Sequence, residues 1–190
     1  MKFICISGKR RSGKTTLAEK LYSSYGYIPL HLAKPLKDMC KLNFGLSEAQ
    51  VNGDSKETPT VYRRGEKFLS PRDIMIEMGQ FYRSIDPQFW VNQLLLQAGS
   101  YPEGSVIVVP DVRFKNEIEA LKKRGAYLVR LERYEALTGP NLLDPSETEL
   151  DDYKLWDLHV PAEFNEDMFH LSHIATRVHA GICAASSRSY

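Results

Sequence analysis

The sequence predicts an α/β domain in which a mostly parallel sheet is covered by helices. Strand-like segments alternate with helical segments along the 190 residues, an order typical of parallel sheets. Val106–Val109 is apolar at every position, as in a strand that is buried on both faces. A glycine-rich turn follows the first strand and leads into the first helix. A chain of this length fits one hydrophobic core, so residues 1–190 are expected to form a single domain.

Hydrophobic spacing and turn residues define the elements of the first half. Lys2 to Ser7 is a β-rich run that ends at a glycine. A helix follows, because Leu17, Leu21 and Tyr25 recur every four residues. Pro35 suits the first turn of the next helix. The expected order is a strand at 2–7, a helix from 14 that Gly26 closes, a strand at 27–32, a helix at 34–44 and a polar, mobile connection at 52–69.

The second half opens with a clear helix start. Ser70 is the expected N-cap, Pro71 occupies the first turn, and Asp73 follows three residues after the cap. One face of that helix carries Ile74, Met78, Phe81 and Ile85. The elements expected next are a helix from 87 to about 98, a strand at 105–110, a helix at 116–124 and a strand at 126–131. An irregular acidic segment at 132–156 and a short strand at 157–161 follow. Asn165 should cap a last helix that carries Leu171, Ile174 and Val178 on one face, and residues 184–190 should form a polar tail.

Composition excludes several classes of protein. Because 25 basic residues nearly balance 24 acidic ones, the chain lacks the broad positive field that non-specific nucleic-acid binding needs. No apolar run approaches the roughly 20 residues of a membrane helix, and the run at 3–6 is too short for a signal peptide. Three widely spaced cysteines show no metal-ligand spacing. We therefore expect a cytoplasmic protein without nucleic-acid or membrane partners.

The strongest motif follows the first strand, where residues 8–15 read GKRRSGKT and match G-x-x-x-x-G-K-[ST]. Its two glycines let backbone N–H groups surround a phosphate, and the following helix directs its positive end at the anion. Lys14 should reach the β and γ phosphates, and Thr15 should ligate Mg²⁺. The motif predicts an ATP-binding phosphate loop at 8–16, formed by Gly8, Lys9, Arg10, Arg11, Ser12, Gly13, Lys14, Thr15 and Thr16.

The residues around Asp111 favour phosphoryl transfer over hydrolysis. A GTPase switch would carry an Asn-Lys-x-Asp tetrapeptide, and the chain has none. A motor ATPase usually places a water-activating glutamate after its strand-end aspartate, whereas Val112 follows Asp111. A kinase benefits from lacking that base, because stray hydrolysis wastes the donor. The sequence thus predicts a kinase in which cations position the phosphates and neutralise their charge.

Several cations follow strand ends, where ligands of parallel sheets bind. Arg113 lies just past the strand at 105–110 and is expected beside the phosphate loop, with a structural salt bridge as the alternative. Asp111 could hold the hydration shell of the Mg²⁺. Lys34 and Lys37 follow the second strand, and the alternative for them is a solvated helix start.

Three further candidates lie on or after the helix that begins at Ser70. Arg72 sits in the first turn, a poor place for a cation unless an anion compensates it. Arg83 ends the same helix, where a cation also caps well on its own. Trp90 could stack on a base or belong to the core.

The chain resembles the phage-type deoxynucleoside monophosphate kinases, a branch of the P-loop nucleoside monophosphate kinases, over about residues 3–178. The resemblance rests on the blocks ISGKRRSGKTT, LAKPLK, SPRDIMIEMGQFYRSIDPQFWVN, VVPDVRFKNEIEAL and DPSETELDD. It implies a three-layer P-loop kinase fold with a five-stranded parallel sheet ordered 2-3-1-4-5, helices on both faces and a lid. It implies transfer of the γ-phosphate of ATP, with Mg²⁺, to a deoxynucleoside 5′-monophosphate for DNA precursor synthesis. A homodimer is also consistent with the family.

The resemblance also implies roles for the candidate residues. The catalytic set is Lys14, Arg83, Arg113 and Asp111, and an acceptor region spans about residues 33–98. Acceptor-binding residues are Lys34, Lys37, Arg72, Arg83, Trp90 and Arg113.

The lid, expected at about 133–156, departs from the family pattern. From Tyr134 to Tyr153 it has no Lys or Arg, so Arg130, Arg133 or Lys154 at its hinges would have to supply any lid cation. The expected His-x-Ser-Glu block reads Asp-Pro-Ser-Glu at 144–147. Ser146 and Glu147 could contact the substrate, and the alternative is that they are a helix cap and its partner.

Two alternatives remain open. The animal-type phosphomevalonate kinases are also similar, with a GKRxSGK loop, a PLK block and a strand-end D-x-R. A non-catalytic regulatory module would bind ATP and transfer nothing.

Overall fold

The computed structural model describes residues 1–133, 145–162 and 168–186. The chain divides into two compact units, Met1–His31 with Leu94–Tyr190, and Leu32–Gln93. Residues 134–144 of the expected lid, the expected cap Asn165 and residues 187–190 of the expected tail lie outside the described residues.

The first unit contains a five-stranded parallel sheet. Its strands, numbered along the chain, are β1 (Lys2–Ser7), β2 (Ile28–Pro29), β3 (Val106–Val109), β4 (Tyr127–Leu131) and β5 (Leu158–Val160). They lie in the order β2-β3-β1-β4-β5, with β1 paired to β3 on one side and to β4 on the other. This is the predicted 2-3-1-4-5 when two short hairpin strands, which fall between β2 and β3 in the chain, are left unnumbered. The predicted fold class is confirmed.

Helices cover this sheet. They are α1 (Lys14–Tyr25), α6 (Lys115–Lys122) and α8 (Met168–Ser186). The same unit contains the short helix α7 (Pro145–Thr148), none of whose residues is buried. On one face, Leu17 and Leu21 of α1 and Val178 of α8 pack with Ile4 and Ile6 of β1 in a single buried cluster. Outside that cluster, α6 contacts β1 and β4. The apolar face predicted for the last helix is buried as expected.

The second unit is built on helices. They are α2 (Ala33–Phe44), α3 (Glu48–Val51) and α4 (Pro71–Ile85), with a 3₁₀ turn at Asp54–Glu57 and a hairpin of Arg63–Arg64 with Lys67–Phe68. The boundary between the units falls inside α5 (Phe89–Ala98). Cys40, Leu46, Val51 and Ile74 form the buried core. Ser70 and Asp73 form the capping box that the sequence predicts at the start of α4.

The structure corrects five local predictions. The strand expected at 27–32 is only two residues long. The connection at 52–69 contains the 3₁₀ turn and the hairpin. Phe81 and Ile85 of the supposed apolar face are exposed, so only the first half of that face is packed in its unit. Residues 184–186 of the expected tail belong to α8, and the segment at 132–156 includes α7.

None of the helices in the described parts of the chain is long and apolar enough to cross a membrane.

Candidate active site

The phosphate loop connects β1 to α1, and its backbone requires glycine at both motif positions. Gly8 has φ 153°, and a Cβ there would lie 2.3 Å from the carbonyl oxygen of Leu131 and 2.5 Å from Oγ of Ser12. Gly13 has φ 88° and forms the N-cap of α1. The Ser12 amide donates to the Lys9 carbonyl at 3.2 Å, which closes the turn. The loop therefore adopts a conformation that side chains at 8 and 13 would strain.

Lys14 turns back onto the loop. Its Nζ donates to the carbonyl oxygens of Gly8 (2.7 Å) and Lys9 (2.6 Å) and to Oγ of Ser12 (3.3 Å). Burial, and after it the charge of the neighbouring Arg113, lowers the pKa of Lys14 to about 7. A buried amine within the phosphate loop is poised to gain a proton when an anion arrives.

Oxygen donors suited to Mg²⁺ follow two strands of the sheet. Thr15 is in the first turn of α1, and Asp111 comes two residues after β3. Oδ2 of Asp111 lies 3.8 Å from Nδ1 of His31. A hydroxyl and a carboxylate fit Mg²⁺, which keeps waters and takes phosphate oxygens as further ligands. The described residues contain no cluster of three His, Cys, Asp or Glu side chains that could hold a metal by themselves.

Arg113 reaches the phosphate loop through a shared carboxylate. Its Nη1 donates to the carbonyl of Ser146 at 3.0 Å and to Oε1 of Glu147. The other oxygen of Glu147 accepts the backbone N–H of Arg10 at 2.9 Å. The Arg113 amide is fixed in turn by Glu117, at 2.9 Å. The structure thus places Arg113 and the phosphate loop against the same carboxylate. The ion pair with Glu147 is also what the structural alternative for Arg113 requires, so its catalytic role stays a prediction.

The same segment makes a second set of contacts with basic residues. We call residues Ser146–Asp152 the acidic segment. Its Asp151 accepts from Lys9 at 2.9 Å and from Arg130 at 2.8 Å. Arg130 is buried, with its side chain 8% exposed, and also donates to Oγ of Ser7 at 3.3 Å. Sequence reasoning identified the carboxylates of this segment but not their attachment to the loop. The complementary charges of KRR at 9–11 and ETELDD at 147–152 were the available signal.

The predicted hinge cations differ in environment. Arg130 is tied to the acidic segment, Arg133 is half-buried at the end of the described stretch, and Lys154 is exposed.

Most of the predicted acceptor residues lie in the second unit, where several bind neighbouring polar groups. Lys34 pairs with Asp38 at 2.5 Å, and Lys37 donates to Oδ1 of Asn52 at 2.6 Å. Arg72 pairs with the carboxylate of Glu57. Nη1 of Arg83 lies beside Gly79, at 3.4 Å from where a Cβ would stand. None of these contacts identifies an acceptor, so the roles of these residues stay predictions.

Trp90 is part of the packed interior. It is 3% exposed, and its indole N–H donates to the carbonyl of Gly79 at 3.2 Å. Its ring meets Tyr82 and Phe89 edge to face, at centroid distances of 5.6 Å and 4.8 Å. This geometry favours the core alternative over base stacking.

Comparison with known proteins identifies relatives of this chain. The family model described as phosphomevalonate kinase matches residues 6–127. The "Putative deoxynucleotide monophosphate kinase" of Acanthamoeba polyphaga mimivirus is 31% identical over 176 residues, which cover 83% of this chain and 86% of that protein.

Among solved structures, the tunicamycin resistance protein of Deinococcus radiodurans aligns with a TM-score of 0.53 at 16% identity and covers 95% of both chains. Shikimate kinase from Aquifex aeolicus aligns with a TM-score of 0.50 at 14% identity, over 97% of this chain and 98% of that one. These likenesses concern the fold.

Proposed function

The chain belongs to the family that the phosphomevalonate kinase model describes, and we propose that it transfers the γ-phosphate of ATP to a deoxynucleoside 5′-monophosphate, as the name of its mimivirus relative suggests. The observation that carries the proposal is that the backbone amide of Arg10 and the guanidinium of Arg113 both donate to the carboxylate of Glu147. The donors that would bind a phosphoryl group therefore already converge on one anion.

On the donor side, the loop amides and Lys14 bind the β and γ phosphates of ATP. An oxygen of the acceptor's α-phosphate attacks the γ-phosphorus in line, the bond to the β–γ bridging oxygen breaks, and ADP leaves. Arg113 and Lys14 neutralise the charge that spreads over the transferred group, an effect worth several kcal/mol per cation. Val112, in place of a water-activating glutamate, agrees with transfer to an acceptor that is already an anion.

Mg²⁺, when bound, would supply further positive charge to the donor phosphates. Thr15 would ligate it directly, and Asp111 would hold its water molecules.

On the acceptor side, we propose that the phosphate of the nucleotide is bound by Lys34, Lys37, Arg72 and Arg83. The support for these roles is their position in the family's sequence blocks. Trp90 would act by supporting the surrounding side chains, because it is buried.

A coupled ADP-release assay with MgATP tests the proposal. The acceptor panel holds dTMP, dGMP, dCMP, dAMP, the four matching ribonucleotides and phosphomevalonate. Turnover with a deoxynucleotide and none with phosphomevalonate is the expected result. An inactive Arg113→Ala variant serves as the control for contaminating kinases.

Phosphomevalonate kinase is the second candidate, because that family model covers residues 6–127. Turnover with phosphomevalonate alone would replace the nucleotide acceptor and keep the donor chemistry. Silence across the panel, with ATP still bound, would refute both activities and leave a regulatory ATP-binding module.

A further inference from the structure

Glu147 is bound in the way that a phosphate oxygen pair would be bound. One of its oxygens accepts a hydrogen bond from a backbone N–H of the phosphate loop, and the other accepts one from Nη1 of Arg113. Backbone amides and arginine forks are the donors with which proteins recognise phosphate. A carboxylate carries the same sign of charge and a similar spacing of oxygens.

Asp151 repeats the arrangement at the other end of the acidic segment. It accepts from Lys9 of the loop at 2.9 Å and from Arg130 at 2.8 Å. Its side chain is 40% exposed, so water can compete for these contacts. The segment thus contacts the loop through two carboxylates. Only hydrogen bonds and ion pairs hold these carboxylates in place, and another anion can replace them.

We infer that the acidic segment is an internal competitor of the donor phosphates: Glu147 binds the loop and Arg113, and Asp151 binds the loop and Arg130, until a polyphosphate displaces them. The inference rests on the proposed function for the identity of the displacing anion. Competition of this kind weakens the binding of free nucleotide. It also couples nucleotide binding to release of the segment.

The chain offers a matched control within the same segment. Asp152 pairs with Nζ of Lys115 at 3.1 Å, and within the described part of the chain it contacts neither the loop nor Arg113. Asp152→Asn removes the same charge as Glu147→Gln at a distance of a few residues. A difference between the two variants therefore reports the contact and not the net charge.

The experiment is titration calorimetry with ATP and with inorganic tripolyphosphate, without acceptor, at low salt and pH 6.0. This pH lies below the pKa of about 7 that Lys14 has in the folded protein. We expect Glu147→Gln to bind both ligands about tenfold more tightly than the wild type, the scale of one lost charge-assisted hydrogen bond. Asp152→Asn should stay within about twofold of the wild type, because a distant surface charge contributes little.

Equal affinities for Glu147→Gln and Asp152→Asn, or weaker binding by Glu147→Gln, would overturn the inference. If Glu147→Gln does not fold, as judged by its thermal transition, Asp151→Asn replaces it with the same expected direction and the same refuting result. A wild type that binds neither ligand would also overturn the inference.

Calorimetry without acceptor separates this inference from the proposed function. Tighter binding by Glu147→Gln in a protein that phosphorylates no acceptor would support the competitor and refute the kinase activity.

Discussion

Raising the pH from 8 to 9 is expected to weaken ATP binding about tenfold, because Lys14 must regain a proton before it can pair with a phosphate. Burial and the charge of Arg113 together lower the pKa of Lys14 to about 7. At pH 8 about nine in ten molecules therefore carry a neutral amine, and at pH 9 about ninety-nine in a hundred do. The bound phosphates favour the ammonium and raise the pKa again.

The sign follows from proton counting. The ATP complex holds one proton more than the free protein above pH 7, so its formation becomes less favourable as the pH rises. Well below pH 7, Lys14 is charged in both states and contributes no pH dependence. The phosphates of ATP are ionised at pH 8, so they do not obscure the effect.

Calorimetry in two buffers of different ionisation enthalpy measures the proton directly. About 0.9 proton should be taken up per ATP at pH 8. Lys14→Arg is the control, since a guanidinium keeps its charge and should take up no proton at this site. A dissociation constant that is flat between pH 8 and 9, together with no proton uptake, would show that Lys14 stays charged and would refute the reasoning.

Three other predictions follow from single residues. Arg113→Ala should reduce turnover about a hundredfold or more while the protein stays folded, and near-wild-type turnover would remove Arg113 from the mechanism. In urea unfolding, Gly8→Ala should lower the free energy of unfolding by about 2–4 kcal/mol, because its Cβ would lie 2.3 Å from a carbonyl oxygen. Gly125→Ala, with φ 75° and open space around the Cβ, should lower it by about 1 kcal/mol. Equal losses in the two variants would contradict the clash at Gly8. A thiol reagent at pH 8 should label the exposed Cys183 rapidly and spare Cys40, whose pKa burial raises to about 11; fast labelling of Cys40 in the native protein would contradict its burial.

The parts of the fold that could be predicted are those that local chemistry determines. Gly26 ends α1 in a left-handed conformation, and Ser70 with Asp73 starts α4, because short-range hydrogen bonds set both boundaries. The second strand is shorter than the sequence predicts, because Pro29 has no N–H to donate to a neighbouring strand. The hairpin was missed because its strands are charged, and Gly65 in its two-residue turn was the remaining signal.

The candidate site divides in the same way. The phosphate loop could be predicted because its residues are adjacent, and the position of Arg113 follows from the shared edge of parallel strands. The bond from the Arg10 amide to Glu147 joins residues 137 positions apart, and no local pattern encodes it. The packing of Trp90 likewise depends on rings brought together by folding, so the sequence left two alternatives equal.

The low pKa of Lys14 and the attachment of Glu147 are two responses to one electrostatic problem. Lys14, Arg113 and Arg130 lie close enough that each guanidinium lowers the pKa of the lysine, whereas Glu147 raises it. Removing the Glu147 charge frees the loop donors for ATP and also makes the Lys14 ammonium harder to form. These effects act in opposite directions only where Lys14 titrates. The tighter binding expected of Glu147→Gln should therefore be greatest at pH 6 and shrink as the pH rises through 7, because the variant must then recover a proton that the wild type holds more readily.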